Sequence, residues 1–213
     1  MRSREQPDKK VVEADRPRTR DRIVLAGTEL FGRHGFNATG VKQIVAVANA
    51  PFGSLYHFFP EGKHQLAEEV IRTSGPHYPK IFELIFDASP DMFTGIATIF
   101  AAAADNLVES DYADACPIAT VALEVASTHE PLRRATADVF DQWIEAGTAM
   151  YARWGLDEAS ARGLAITTIT SLEGAFVLSR SLRDTEPLAV AGRAVGHAAR
   201  AAISQSEPAE VEA

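Results

Sequence analysis

The sequence contains little of what stabilises a secreted or membrane protein. Only one of its 213 residues is cysteine, Cys116, which excludes an intrachain disulfide and favours a reducing compartment. No run of about 18 apolar residues occurs, so no transmembrane helix is expected. The N-terminus is charged and lacks the apolar segment of a signal peptide. We therefore expect a cytoplasmic protein without a membrane partner.

The sequence also lacks stretches in which apolar and polar residues alternate with a period of two, so strands are not expected. Apolar residues recur instead at helical spacing, which predicts an all-α fold of about nine helices. The prolines Pro76 and Pro79 should kink the fourth helix or divide it in two, because each removes a backbone donor. The predicted helices span about 19–34, 41–48, 52–58, 63–85, 91–109, 117–128, 131–154, 157–183 and 187–204.

The net charge of −8 is distributed unevenly along the chain. Residues 1–65 contain eleven Lys and Arg against seven Asp and Glu, whereas residues 66–213 contain ten against twenty-two. A basic N-terminal region on an acidic body is typical of a protein that holds nucleic acid at one end. An ordinary acidic protein with a basic tail is the alternative that charge alone leaves open.

Residues 37–63 form the most informative stretch, because they predict two short helices joined by a tight turn. Thr39 is placed to cap the first of these helices with its hydroxyl. Asn49 can adopt the left-handed conformation that ends a helix and redirects the chain. Pro60 and Gly62 should stop the second helix, and Lys63 should begin the next. The buried stripe of the first helix is expected at Val41, Ile44, Val45 and Ala48.

This pattern resembles the DNA-binding domain of the TetR/AcrR family of bacterial one-component repressors, over about residues 19–66. The sequence departs from the usual pattern at two places, Asn49 in the turn and the insertion Glu61-Gly62. The first is sterically tolerable, and the second, together with Pro51-Phe52-Gly53-Ser54, resembles the LmrA/YxaF-type subgroup. Residues 116–132 resemble the ligand domain of that subgroup more weakly. The matching residues of the DNA-binding domain are Phe31, Gly35, Phe36, Thr39, Ile44, Ala48, Gly53, Ser54, Leu55, Tyr56, Phe59, Pro60 and Lys63.

The resemblance implies an N-terminal three-helix bundle with a helix-turn-helix at 18–66 and a helical ligand-binding and dimerisation domain at 67–205. Residues 1–17 are expected to form a disordered basic arm, and residues 206–213 a disordered acidic tail. The implied function is that of a homodimeric repressor that binds a palindromic operator in double-stranded DNA. A small apolar or aromatic effector would release it.

The candidate DNA contacts divide by chemistry. Tyr56, His57, Lys63 and Thr39 are expected at phosphates, where a hydroxyl or a cation is useful. The start of the second short helix, at Phe52, is expected to meet base edges. The full candidate set is Arg18, Arg20, Thr39, Lys42, Phe52, Gly53, Ser54, Tyr56, His57 and Lys63.

Two further sets are expected in the body. Aromatic residues beyond what packing needs should line an effector cavity, with polar groups to orient the ligand; these are Phe82, Phe86, Phe93, Phe100, Thr120, Phe140, Trp143, Glu173 and Phe176. Small residues on the last two helices should allow close approach of a second subunit; these are Gly163, Thr167, Thr170, Gly174, Ala191, Val195 and Ala198.

The sequence offers no set of residues for catalysis, a metal or a cofactor. Its six histidines show no zinc-type spacing with cysteine or carboxylates. Ser54 and His57 lie one turn apart, but neither an orienting carboxylate nor an oxyanion hole is indicated. A helical interaction module without DNA binding and a small helical enzyme are the alternative functions, and the second would need titratable groups that we do not find.

Overall fold

The computed structural model describes residues 17–206, and all regular secondary structure in that range is helical. The expected arm at 1–17 and tail at 206–213 lie almost wholly outside the described residues. The helices are α1 (Thr19–His34), α2 (Val41–Val47), α3 (Phe52–Phe58), α4 (Lys63–Ser74), α5 (His77–Asp87), α6 (Met92–Glu109), α7 (Pro117–Val125), α8 (Glu130–Ala152), α9 (Glu158–Leu182) and α10 (Glu186–Ser206).

The described residues form ten helices where about nine were predicted, because the long fourth helix is divided at Gly75-Pro76. Pro79 lies in the first turn of α5, where a missing N–H costs no helical hydrogen bond. At Gly75 an added Cβ would lie 2.6 Å from Cγ1 of Val139, so the close approach of α8 requires glycine. The Trp143 indole N–H donates to the Gly75 carbonyl at 2.8 Å. The end of α4 is therefore held by α8.

The first three helices pack around a small apolar core, as the sequence predicted. Ile23, Phe31, Ile44 and Leu55 are fully buried there. Asn49 has φ 47°, which confirms the predicted left-handed turn between α2 and α3. The spacing of apolar residues in the sequence therefore identified the faces by which α2 and α3 pack against α1.

This core does not end at the boundary predicted near residue 66. The same buried cluster continues through α4 into α7 and α8, where Ile118, Val121 and Leu132 are fully buried. A second buried cluster joins α6, the end of α8, α9 and α10. The N-terminal helices are thus packed against the body, and movement of α7 or α8 would disturb their core.

Between residues 17 and 206, no helix combines the length and the apolar character that a membrane crossing requires.

Candidate DNA-binding surface and internal cavity

The outer face of α3 is open. Phe52, Gly53, Tyr56 and His57 are exposed, and their spacing places them along one side of the helix. The side chains of Phe52 and Tyr56 are each about half exposed, and their ring centroids lie 5.9 Å apart. A Cβ built at Gly53 would meet nothing within 4 Å, so a groove of DNA could approach the backbone there. Ser54 is half-buried beside this face.

Thr39 has a different environment from the one predicted. Gly40 precedes α2 and no side chain caps that helix, so the predicted cap at Thr39 is wrong. Thr39 is fully buried, and its hydroxyl lies 2.7 Å from the Gly35 carbonyl oxygen and 3.3 Å from that of Leu30. The single hydroxyl proton is used inside the domain, so Thr39 does not present a donor to phosphate.

Lys63 also turns into the protein. Its ammonium donates to the carbonyl oxygens of Phe36 at 2.8 Å and Thr39 at 3.1 Å. It also lies 4.3 Å from the centre of the Phe36 ring. Partial burial lowers the pKa of the Lys63 ammonium, although Glu124 opposes that shift. The Lys63 side chain therefore holds the α1–α2 loop and does not point outward for the predicted phosphate contact.

Glu124 joins the body to that same loop. Its carboxylate accepts the backbone N–H of Phe36 at 3.0 Å and that of Asn37 at 2.7 Å. Gly35 precedes them at φ 83°, and a Cβ there would lie 2.0 Å from the carboxylate, so both conformation and space require glycine. Sequence reasoning missed this contact, although Glu124 stands in the stretch that carries the weaker resemblance.

The basic residues near the start of α1 have distinct partners. Arg18 is exposed, whereas Arg20 pairs with Glu69 at 2.8 Å. Arg22, which was not a candidate, donates to the carbonyl oxygens of Ala48 at 2.9 Å and Asn49 at 3.2 Å, so it fixes the turn of the helix-turn-helix. Lys42 is exposed on α2, as predicted.

A cavity of about 770 Å³ lies between the N-terminal helices and the body. That volume is within the range of small-molecule sites. Helix α1 contributes directly to the wall through Leu25, Thr28 and Gly32. Leu25 is an apolar residue outside the buried stripe of α1. Its presence on that other face of the helix could have indicated that α1 borders a cavity, and the sequence analysis overlooked it. Further walls come from α5, α6, α8 and α9 and from the start of α7.

Four predicted effector residues line this cavity: Phe82, Trp143, Glu173 and Phe176. The other five do not. Phe86 is fully buried against Tyr151, Phe140 packs edge-on against Trp143, and the Thr120 hydroxyl donates to the Cys116 carbonyl. Phe93 and Phe100 line a separate groove of about 360 Å³ between α6 and α10.

The polar groups of the cavity centre on Glu173. Burial raises the pKa of its carboxyl group, and a hydrogen bond with the Cys116 thiol opposes that shift. Burial likewise raises the pKa of Cys116. Burial raises the pKa of Tyr78, and its closeness to Cys116 and Glu173, which repel a second negative charge when they are ionised, raises it further. Tyr78 and Cys116 line the cavity beside Glu173 and were not among the predicted residues.

The predicted dimer residues on the last two helices face different ways. On α9, Gly163, Thr170 and Gly174 are exposed and Thr167 is half-buried. The same helix exposes large apolar side chains at Ile166, Val177, Leu178 and Leu182.

On α10 the predicted positions face the protomer's own core. Val195 is fully buried, and Ala191 and Ala198 pack against the second buried cluster. Val195 is therefore not available to a second subunit, and Ala191 and Ala198 are only partly exposed. The exposed face of α10 carries Val190, Ala194 and His197 instead.

Two protein-family models match this chain. Residues 23–70 match the model for bacterial regulatory proteins of the tetR family, and residues 93–194 match the C-terminal domain of LmrA/YxaF-like transcriptional regulators. The first match covers the helix-turn-helix, and the second covers most of the cavity-forming helices.

Known proteins agree with these matches. The transcriptional regulator YxaF of Bacillus subtilis is 32% identical over 80% of this chain and 89% of its own length. LmrA of the same organism is 28% identical over 80% of this chain and 90% of its length. The crystal structure of a TetR transcriptional regulator from Legionella pneumophila shares the fold, with a TM-score of 0.76 at 22% identity over 86% of this chain and 98% of that one. The chain therefore belongs to the TetR family of bacterial transcriptional regulators, in its LmrA/YxaF-like group, and not to a family of enzymes.

Proposed function

We propose that this protein is a cytoplasmic homodimeric repressor that binds a palindromic operator through α3 and releases it when a small molecule occupies the cavity. The observation that carries the DNA-binding part is the exposed face of α3, in a family whose members are transcriptional regulators. Phe52, Gly53 and Ser54 would meet base edges, and Tyr56 and His57 would meet phosphates.

Lys42 and Arg18 supply the exposed cations that this surface needs near the DNA backbone. Each phosphate contact made by a cation releases counterions, so affinity should fall as salt rises. Arg20 instead pairs with Glu69, which joins α1 to α4, and Arg22 holds the turn between α2 and α3.

Dimerisation is proposed through the exposed faces of α9 and α10. The apolar side chains of α9 would be buried there, with Gly163, Thr167, Thr170 and Gly174 allowing close approach. Two helices from each subunit would form a four-helix interface. Two-fold symmetry would then present the two copies of α3 to half-sites about 34–36 Å apart.

Coupling of cavity to DNA would follow the contacts that already join the body to the N-terminal helices. The α1 wall is touched by any ligand that fills the cavity. Trp143 lines the cavity and holds the end of α4 through Gly75. Helix α7 begins at the cavity with Cys116 and Pro117 and holds the α1–α2 loop through Glu124. A ligand that shifts these elements would change the spacing of the two α3 helices, and coupling of a few kcal/mol is sufficient to switch occupancy.

A mobility-shift titration against the intergenic DNA upstream of its own coding sequence tests this function. We expect a retarded complex that Tyr56→Ala weakens at matched salt while the dimer stays intact. Unchanged affinity in this variant would contradict the role of α3, and a monomer at micromolar concentration would contradict the symmetric model. Absence of any complex would favour a helical interaction module that does not bind DNA.

A further inference from the structure

The charged groups that line the cavity are almost all neutralised by one another. Arg33 pairs with Glu29 at 2.8 Å and with Asp114 at 2.7 Å. Arg153 pairs with Glu83 at 3.4 Å. These ion pairs are exposed, so they lie where the cavity meets solvent. Such pairs have little net charge left for a ligand.

Two charged lining groups form no ion pair within the described part of the chain, Lys80 and Glu173; Lys80 is exposed, whereas Glu173 is half-buried. Glu173 lines the cavity from α9, in the otherwise nearly uncharged segment from Ile166 to Leu178. Its side-chain partner is the neutral thiol of Cys116. Its side chain is half-buried, and a carboxylate held partly away from water without a cation is costly, because the protein replaces some of the water that would stabilise its charge. Burial accordingly raises the pKa of Glu173.

Aromatic rings share the cavity wall with Glu173. They belong to Tyr78, Phe82, Trp143, Tyr151 and Phe176. The ring centroids of Tyr78 and Trp143 lie 5.2 Å apart. The face of an aromatic ring attracts a cation, and more strongly when water is excluded. The same rings provide flat apolar surface for an aromatic ligand. Carboxylate and rings therefore favour one kind of ligand.

We propose that the effector is an organic cation with an aromatic or bulky apolar body, and that Glu173 binds its positively charged nitrogen. This inference rests on the proposed effector role of the cavity. The cation supplies the partner that Glu173 lacks, and the apolar body fills the remaining volume. An anionic effector is disfavoured, because it would place a second negative charge beside Glu173 while Arg33 and Arg153 are already paired. The other cation of the lining, Lys80, is exposed.

A matched pair of probes tests the charge preference. 1-Naphthylmethylamine and 1-naphthylmethanol have nearly the same shape and are small enough for the cavity, but only the amine is cationic near neutral pH. Isothermal titration calorimetry of the full-length dimer should give an affinity for the amine at least about tenfold above that for the alcohol. Equal affinities, or no binding of either probe, would overturn the proposal.

Substitution of Glu173 tests whether this residue causes the preference for the amine. In Glu173→Gln the carbonyl oxygen remains but the charge is lost, so the amine should bind no better than the alcohol. Glu145→Gln removes an exposed glutamate from α8, outside the cavity lining, and should keep the wild-type preference. An unaltered preference in Glu173→Gln would refute the assignment. Melting temperature and DNA affinity without probe establish that the variant is folded; if it is not, the wild-type comparison of the two probes decides.

The same proteins separate this inference from the proposed function. If the wild type retards its upstream DNA but shows no preference for the amine, the inference fails and the DNA-binding function stands. If the amine preference depends on Glu173 but no DNA is bound, the proposed function fails and the cation site stands. Release of DNA by the amine from the wild type, and its loss in Glu173→Gln, would support both.

Discussion

The outer face of α3 and the loop between α1 and α2 belong to the same small bundle, yet their polar groups have opposite surroundings. On α3, Tyr56 and His57 are exposed. At the loop, the Thr39 hydroxyl, the Lys63 ammonium of α4 and the Glu124 carboxylate of α7 are all hydrogen-bonded to backbone groups of the loop or of its start within 3.1 Å. Backbone groups left unpaired by the tight loop are satisfied by nearby side chains, so the side chains of α3, which lie away from the loop, remain free for DNA.

Of the substitutions that test this contrast, Lys63→Met should lower the free energy of unfolding most. It keeps most of the apolar stem but leaves the carbonyls of Phe36 and Thr39 without their donor, and hydrogen bonds to charged groups are worth about 1.5–3 kcal/mol. We expect a loss of about 2–3 kcal/mol in the free energy of unfolding by urea, at fixed protein concentration. Lys42→Met, at an exposed lysine, should change it by less than about 0.5 kcal/mol. Equal effects in the two variants would mean that the loop and the surface are not distinct.

Glu124→Gln should have an intermediate effect. The amide oxygen can accept only part of what the carboxylate accepts from Phe36 and Asn37, and the attraction to Lys63 is lost. We expect a loss of about 1–2 kcal/mol in urea unfolding. Because Glu124 is a contact between α7 and the loop, the variant should also respond less to an effector in a DNA-release titration. Glu145→Gln is the matched control, and an identical effector response in both variants would remove Glu124 from the coupling route.

Thr39→Val should have a smaller effect again. Valine matches the shape of threonine but leaves the Gly35 carbonyl without the buried hydroxyl, which costs about 1 kcal/mol. Urea unfolding measures the loss, with Thr98→Val on the exposed side of α6 as the control. The slope of log affinity against log salt should stay at the wild-type value, because no phosphate contact is lost. A reduced slope would restore Thr39 as a DNA contact.

Tyr56→Phe should be the mildest change for folding and a measurable one for DNA. The phenol is exposed, so the free energy of unfolding should change by less than about 0.5 kcal/mol. Loss of the phenol's hydrogen bond to a charged phosphate, worth about 1.5–3 kcal/mol, should weaken DNA binding by about tenfold or more. A mobility shift at matched salt measures it. Full affinity in Tyr56→Phe would mean that the ring, and not the hydroxyl, makes the contact.

The helices of the bundle could be predicted because they depend on local rules. Of the predicted stripe, Ile44 and Val45 on α2 and Ala48 just after it are buried and Val41 is half-buried, and Asn49 takes the left-handed turn. The partners of Thr39 and Lys63 depend instead on carbonyls that a separate loop brings close. Residue type alone does not contain that information.

The same limit applies in the body. Spacing shows that Phe86 and Phe100 point inward, as Phe82 and Phe176 do, but whether an aromatic ring lines a void depends on what faces it. Phe100 faces Gly192 of α10 and therefore lines the separate groove between α6 and α10, not the main cavity. On α10, small residues occur on every side, so periodicity could not select the exposed face, and Val195 proved to be buried.

One wall of the cavity comes from α1, through Leu25, Thr28 and Gly32. A hybrid regulator made by joining a foreign helix-turn-helix domain to this body near residue 66 would replace these residues, together with Glu29 and Arg33, which also line the cavity from α1. The chimera would then read a new DNA sequence and also enclose a cavity of altered shape. Builders of biosensors from this chain should therefore graft only the exposed positions of α3, because exchange of the whole domain changes what is sensed together with what is regulated.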